Sequence, residues 1–360
     1  MNARHLATMF LLIIIAFATL TSAQDQPNQD IADLYAAKQY QEAIDLAKER
    51  LIDQPDDRHL NIYAGRALFD MGERLEAKPY LEAVVAPGTQ DWLHAWSQFY
   101  LGAIALMAED DPATCTDLWT EVRDAQLTQN VARNAANNLR FFGLSEEFET
   151  WPQYDTEHCR FLFSANLNDK DLKEFCHVHE DAYDELTEFF GGEPPQPVRY
   201  IVWSSGEEAQ EMCGIRSLGF ARPELCTIHC RWEQTVGHEM THVVSMQALQ
   251  PVARTRLINE GLAVCFDLTS RDKLATAQHA VGEAGLESLD LAQWWEDGSQ
   301  IDEASFYPVA GAWVKTLLDR GGRDKLLELG ADQTLASARS IYGDELEGWM
   351  TEFSAAVLSE

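Results

Sequence analysis

Cations are scarce in this 360-residue chain, where 27 Lys and Arg stand against 59 Asp and Glu for a formal charge of −32. Such a surface repels nucleic acid and anionic lipid, and neither is expected as a partner. Long apolar runs are scarce too, and the prominent one lies at the start. There, "MNARHLATMFLLIIIAFATLTSA" joins an early cation, Arg4, to an apolar run over residues 6–20 and small residues at Thr21 and Ala23. This is the layout of a secretory signal, residues 1–23, cleaved after Ala23. It predicts an exported protein, periplasmic or secreted. An uncleaved anchor is the alternative, the run being only slightly short of the about 18 residues that span a bilayer. β-Branched clusters are nearly absent from residues 30–144, which argues for helices there. The 46% hydrophobic content supplies ample material for packed cores, so global disorder is not expected.

Seven cysteines (Cys115, Cys159, Cys176, Cys213, Cys226, Cys230 and Cys265) in an exported chain suggest some disulfides. Cys213 with Cys226 or Cys230, and Cys159 with Cys176, are the first pairs to test. The odd number leaves at least one thiol over.

Residues 24–144 read as a stack of helical hairpins. Ala43 in "AAKQYQEAIDLAKERLIDQPDD" returns as Ala77, and Gly65 in "YAGRALF" returns as Gly102 in "YLGAIAL". Small residues at such a period let the helices of a hairpin approach closely, and each hairpin buries its apolar face on the next. The pattern resembles the tetratricopeptide repeat. Tyr40, Ala43 and Pro55 fit one unit, Gly65, Leu68, Ala77 and Leu81 a second, and Leu101, Gly102 and Leu118 a looser third, with "TQNVARNAANNLRFF" as a closing helix. An unrelated helical bundle is the alternative. This half offers no catalytic cluster; a protein partner or substrate on its concave surface is the expected role.

Residues 145–158, polar and broken by Pro152, read as a linker. Over residues 159–360 the pattern changes. "RFLFSA", "VRYIVW" and "LCTIHC" are strand-like, "DLKEFCHVHEDAYDELTEFFGG" and "SSGEEAQEMCG" are helices, and a helical tail starts at Tyr307. A small sheet followed by helices is an α+β arrangement.

Between them stands "VGHEMTHVVS". On a helix, residues four apart share a face, so His238 and His242 can bind one ion while Glu239, rotated by about 100°, points beside it. A third ligand is offered by Glu260 in "INEGLA", with 17 residues between it and His242. Two His and one Glu with an open fourth position form a catalytic zinc set rather than a structural one. Each part alone has an ordinary reading as a solvated or hydrogen-bonded polar group; the joint pattern points to Zn2+, one per chain.

"GHEMTHVV" followed by "INEGLAVCF" resembles the gluzincin zinc metallopeptidases, and most closely the peptidase MA-like domains of bacterial exported proteins. The resemblance runs from about Arg160 to the C-terminus and takes in "EDAYDELTEFFGG", "PVRYIVWSSGEEAQ" and "FYPVAGAWVKTLLDRGGRDKLLEL". It implies His238, His242 and Glu260 as metal ligands, Glu239 as general base, and Tyr307 as hydrogen-bond donor to the oxyanion. It also implies a peptide or protein substrate, and the strand "LCTIHC" just before the helix is where a peptide could add as an extra strand. The related aminopeptidases commonly place one residue more between His and Glu and carry a Gly-x-Met-Glu-Asn stretch, which this chain lacks, so an endopeptidase is the better match. Position 264 is Val where thermolysin-like enzymes carry an acid that steadies a ligand histidine.

Other metal candidates are weaker. Cys176, His177 and His179 are close in sequence, but on a helix the two histidines diverge by some 200°. Cys226, His229 and Cys230 read better as a disulfide or plain strand. Cys265 reads as a buried thiol. Two further functions stay open: a non-catalytic repeat scaffold with a zinc-holding, inactive peptidase-like domain, and a zinc hydrolase of a cell-wall or other non-peptide amide.

Overall fold

The structure, a computed structural model, describes residues 28–85, 88–168, 170–214 and 217–359. The expected signal segment, residues 1–23, lies outside them. Among the described residues no helix is long and apolar enough to cross a membrane. The chain divides into two units, one ending at Glu149 and the other beginning at Thr150.

Among the described residues, the regular elements of the first unit are all helices: α1 (Gln29–Ala36), α2 (Tyr40–Leu51), α3 (Arg58–Asp70), α4 (Arg74–Val84), α5 (Trp92–Ala108), α6 (Pro112–Ala125) and α7 (Gln129–Phe141). Side-chain oxygens fix several of the starts. Asp57, Asp91, Asp111 and Thr128 each accept a backbone N–H from the first turn of α3, α5, α6 and α7, satisfying donors a helix leaves unpaired. Each helix packs on the next. The tightest approaches come at the two glycines singled out above. A Cβ at Gly65 would stand 2.7 Å from Leu81 Cγ, and one at Gly102 would stand 2.7 Å from Trp119 Nε1. With no side chain at Gly102, the Trp119 ring is fully buried and its Nε1 donates to Phe99 O at 2.8 Å.

The second unit holds five strands: β1 (Gln153–Asp155), β2 (Cys159–Phe163), β3 (Val198–Trp203), β4 (Gly219–Arg222) and β5 (Thr227–Arg231). Their order is β1-β2-β3-β5-β4. The central pairs β2/β3 and β3/β5 are parallel, and the outer pairs β1/β2 and β4/β5 are antiparallel. Residues 145–158, expected as a linker, are only partly one. A 3-10 turn occupies Glu146–Phe148, and β1 pairs Tyr154 with Phe161, so the sheet begins before Cys159. β3 is central and buried at Val198, Tyr200, Ile201, Val202 and Trp203, as a parallel strand covered on both faces should be.

Helices carry the rest. α8 (Leu172–Phe190) joins β2 to β3 and α9 (Gly206–Cys213) follows β3. α8 ends at Gly191, whose φ of 76° is the left-handed value that lacks a penalty only without Cβ. Beyond the sheet come α10 (His238–Leu249), α11 (Arg256–Cys265), α12 (Lys273–Ala284), α13 (Leu291–Glu296), α14 (Glu303–Ala331, kinked at Gly322), α15 (Leu335–Tyr342) and α16 (Glu345–Val357). The late helix thus starts four residues before Tyr307. Its crossing with α11 is close because both helices present glycine: a Cβ at Gly261 would fall 2.7 Å from Ala310 O, and one at Gly311 only 2.3 Å from Val264 Cγ1. Val264 therefore packs into the notch at Gly311. The molecule as a whole is mostly helical with one small mixed sheet, an α+β arrangement.

The expected disulfides are absent: all seven cysteines are thiols. Cys159 and Cys176 sit in the apolar core with Phe161 and Phe175, and burial pushes the Cys176 thiol up to about 12. Burial also takes Cys265 to about 12, in keeping with an inert packing thiol.

Candidate metal centre

α10 enters the site through Gly237, whose φ is 89°. A Cβ there would lie 2.9 Å from Phe266 O, so the chain can make this turn only without a side chain. His238 is consequently the first residue of the helix and His242 sits one turn on, with ring centroids 5.3 Å apart. α11 delivers Glu260 to the same place. Its Oε2 lies 3.9 Å from His238 Nε2 and 3.5 Å from His242 Nε2. One ligand atom from each of the three residues falls within 4.8 Å of the others, and this is the one group of three or more His, Cys, Asp or Glu with that property among the described residues. An ion bound tetrahedrally at about 2.1 Å needs ligand atoms roughly 3.4 Å apart. The cluster fits a metal ion.

The competing sets do not assemble. His179 is buried, donates Nδ1–H to Phe175 O at 2.8 Å and stacks on the Phe175 ring at 4.0 Å, while His177 is exposed. His229 stacks on Phe220 at 4.7 Å, while Cys226 and Cys230 belong to the apolar core.

Electrostatics separates the four groups. Burial pushes the Glu239 carboxyl up to about 7. Burial also drives His238 down to about 4, assisted by the charge of His242, so its imidazole is neutral at pH 7. Burial acts against the charged forms of His242 and Glu260 as well. There the hydrogen bond and charge attraction between the two outweigh it, raising His242 and holding Glu260 down at about 2.

Several neighbours hold these groups in place. Asn259 Nδ2 lies 3.3 Å from His242 Nδ1 and donates to Glu260 Oε1 at 3.2 Å. Arg254 donates to Asn259 Oδ1 at 2.6 Å, which fixes the amide's orientation. Gln234 donates to Glu239 Oε1 at 3.1 Å, and a Cβ at Gly219 would fall 2.9 Å from the same oxygen. The first residue of β4 therefore backs directly onto the Glu239 carboxylate.

A cleft of about 680 Å³ opens on the cluster and is lined by Gly219, Phe220 and Ala221 of β4 as well as by His238, Glu239 and Tyr307. The Tyr307 ring is 6.3 Å from that of His238, and burial pushes its phenol up to about 12, leaving it a donor at neutral pH. All five expected site residues thus line one cleft. The strand expected to receive a peptide is corrected, however. β5, from "LCTIHC", is paired on both sides, by β3 and β4, and has no edge to offer; β4, with β1, is one of the sheet's two edge strands and the one that lines the cleft.

Asn259 and Gln234 were not anticipated from sequence. Asn259 adjoins Glu260 in "INEGLA", a visible signal, whereas Gln234 and the short, glycine-led β4 carry none. Comparison with models of known protein families finds no match, and comparison with curated proteins finds none either.

Proposed function

We propose that the protein is an exported zinc-dependent metallopeptidase of the gluzincin, peptidase MA-like kind, hydrolysing internal peptide bonds. The observation that carries this reading is the meeting of His238, His242 and Glu260 beside a buried, unligating carboxylate, Glu239. A site that only held structure would have no use for that carboxylate. Two imidazoles and one carboxylate suit zinc. Zinc held there would supply a Lewis acid and a water acidified to a pKa of about 7.

The remaining steps belong to the chain. Gln234 occupies Oε1 of Glu239, leaving Oε2 to take a proton from the attacking water and return it to the departing amine. A carboxyl whose affinity for protons lies near neutral can do both. Tyr307 donates from its phenol to the oxyanion as the carbonyl becomes tetrahedral. An extended peptide adds along the edge of β4, where backbone hydrogen bonds orient it with little demand on its side chains. The first unit is read as a tetratricopeptide-like stack that recruits a substrate or partner protein. The close packing at Gly65 and Gly102 supports that reading.

The test is a metal analysis of the mature protein together with cleavage of an unfolded casein-like substrate. About one zinc per chain is expected. Glu239→Gln should retain the metal and lose roughly 10²- to 10⁴-fold in turnover. Undiminished cleavage by that variant removes Glu239 from the chemistry, and with it this reading of the site.

A further inference from the structure

The charged groups around the cleft are not evenly matched. Asp267 and Lys273 pair there, with side chains only 12% and 11% exposed, and Lys273 also donates to Thr269 at 3.1 Å. Glu303 faces Arg256 at 3.7 Å. Glu239 and Glu260 are engaged at the site itself. Two guanidinium groups are left over. Arg254 donates to the neutral amide of Asn259, and Arg271, in the loop before α12, is exposed. Among the described residues no carboxylate pairs with either, although both line the cleft. Arg133 too has a neutral partner, Asn130; Arg254 and Arg271 differ in that both open onto the cleft. Arg50, Arg58, Arg140, Arg320 and Arg339, elsewhere on the surface, each have an acidic partner.

The strongly acidic surface repels anions at long range, so it cannot steer an acidic substrate in. Within a Debye length, about 10 Å at ordinary salt, the two guanidiniums act directly on a group already in the cleft. A guanidinium presents a planar fork of N–H donors that matches a carboxylate. From this arrangement we infer that the cleft selects peptides bearing a carboxylate near the scissile bond, with Arg254 and Arg271 as the residues that set this preference. The inference rests on the peptidase reading above and names its substrate class.

The experiment uses the full mature chain, loaded with zinc, and peptides that differ only in Asp, Asn or Lys at successive positions either side of the cut. Each is made with a free and an amidated C-terminus, so that a side-chain carboxylate and a chain-end carboxylate are told apart. The Asp peptide, or the free acid, should be favoured over its neutral counterpart by about fivefold in kcat/KM, the size expected of a partly exposed ion pair. R271E should reverse the ranking toward Lys, and R254Q together with R271Q should level it. Binding is read separately, by anisotropy of a fluorescent acidic peptide on the E239Q chain, and should follow the same order. Cleavage with no ranking by charge, or a ranking that R271E leaves intact, overturns this inference and spares the peptidase reading. Binding ranked by charge with no cleavage of any peptide counts against the peptidase reading and upholds the preference.

Discussion

Arg66 in the helical unit and Glu239 in the sheet unit are 6% and 7% exposed, yet the two units use these buried groups in opposite ways. Arg66 is enclosed by rings, its guanidinium 4.5 Å from the centroid of Tyr35, 5.1 Å from Trp96 and 5.5 Å from Tyr100. Cation–π attraction on three sides makes it a structural element of the stack. Glu239 instead lies beside His238, His242 and Glu260, and the common environment drives their proton affinities apart, Glu239 to about 7 and Glu260 to about 2. Such a division is what an acid–base site needs. A buried charge caged by aromatics contributes rigidity, whereas buried ionisable groups that converge can contribute chemistry.

That contrast can be broken or sharpened by substitution. After Glu239→Gln, the largest effect is expected at Tyr307. On the proposed peptidase reading, Tyr307→Phe removes the oxyanion donor and should cost about 3 kcal/mol, or roughly a hundredfold in kcat, with zinc content unaltered. A comparable kcat in the variant would reduce Tyr307 to a packing residue. Next comes His179, whose folded pKa of about 4 lies below the ordinary 6.5 because of burial. Protonation is then easier in the unfolded chain. The sheet unit should be at full stability above pH 6.5 and lose about 3 kcal/mol as pH falls through 6.5 to 4. Denaturant unfolding of His179→Leu should show a correspondingly flatter acid limb, with the helical unit unaffected.

Asn259→Ala should weaken metal binding about 10- to 100-fold in competition with a chelator, since it frees both His242 and Glu260 from their partner. The smallest change belongs to the stack. Gly65→Val forces a side chain onto Leu81 and should destabilise the first unit by roughly 1–3 kcal/mol, read as faster amide exchange over residues 58–84. Hydrolysis of short peptides should be unaffected. A matching loss there would mean that the two units are not energetically separable.

Much of this architecture could be read before the fold was seen, for identifiable reasons. The hairpin period and the glycines at 65 and 102 are local signals, and so is the spacing of His238 and His242 on one helix face. Glu260 was reachable because α11 follows α10 directly. β4 was not, since four half-buried residues led by glycine carry no alternation to detect; assigning the peptide to β5 followed from that omission. The cysteines misled for another reason. Their number and an export signal suggest pairing, but only three-dimensional placement decides which thiols meet, and Cys159, Cys176, Cys226 and Cys230 belong to an apolar interior. The gap at Val264 likewise makes sense only once Gly311 is seen facing it.

The crossing of α11 and α14 has a wider consequence. Glu260 lies one residue before Gly261, and Tyr307 four residues before Gly311, so a single seam between two backbones sets the spacing of both. Any bulk added along that seam would shift the Glu260 carboxylate and the Tyr307 phenol as one body. Variation in the lining of the cleft is therefore freer to accumulate at the β4 rim and around the exposed Arg271, away from that seam.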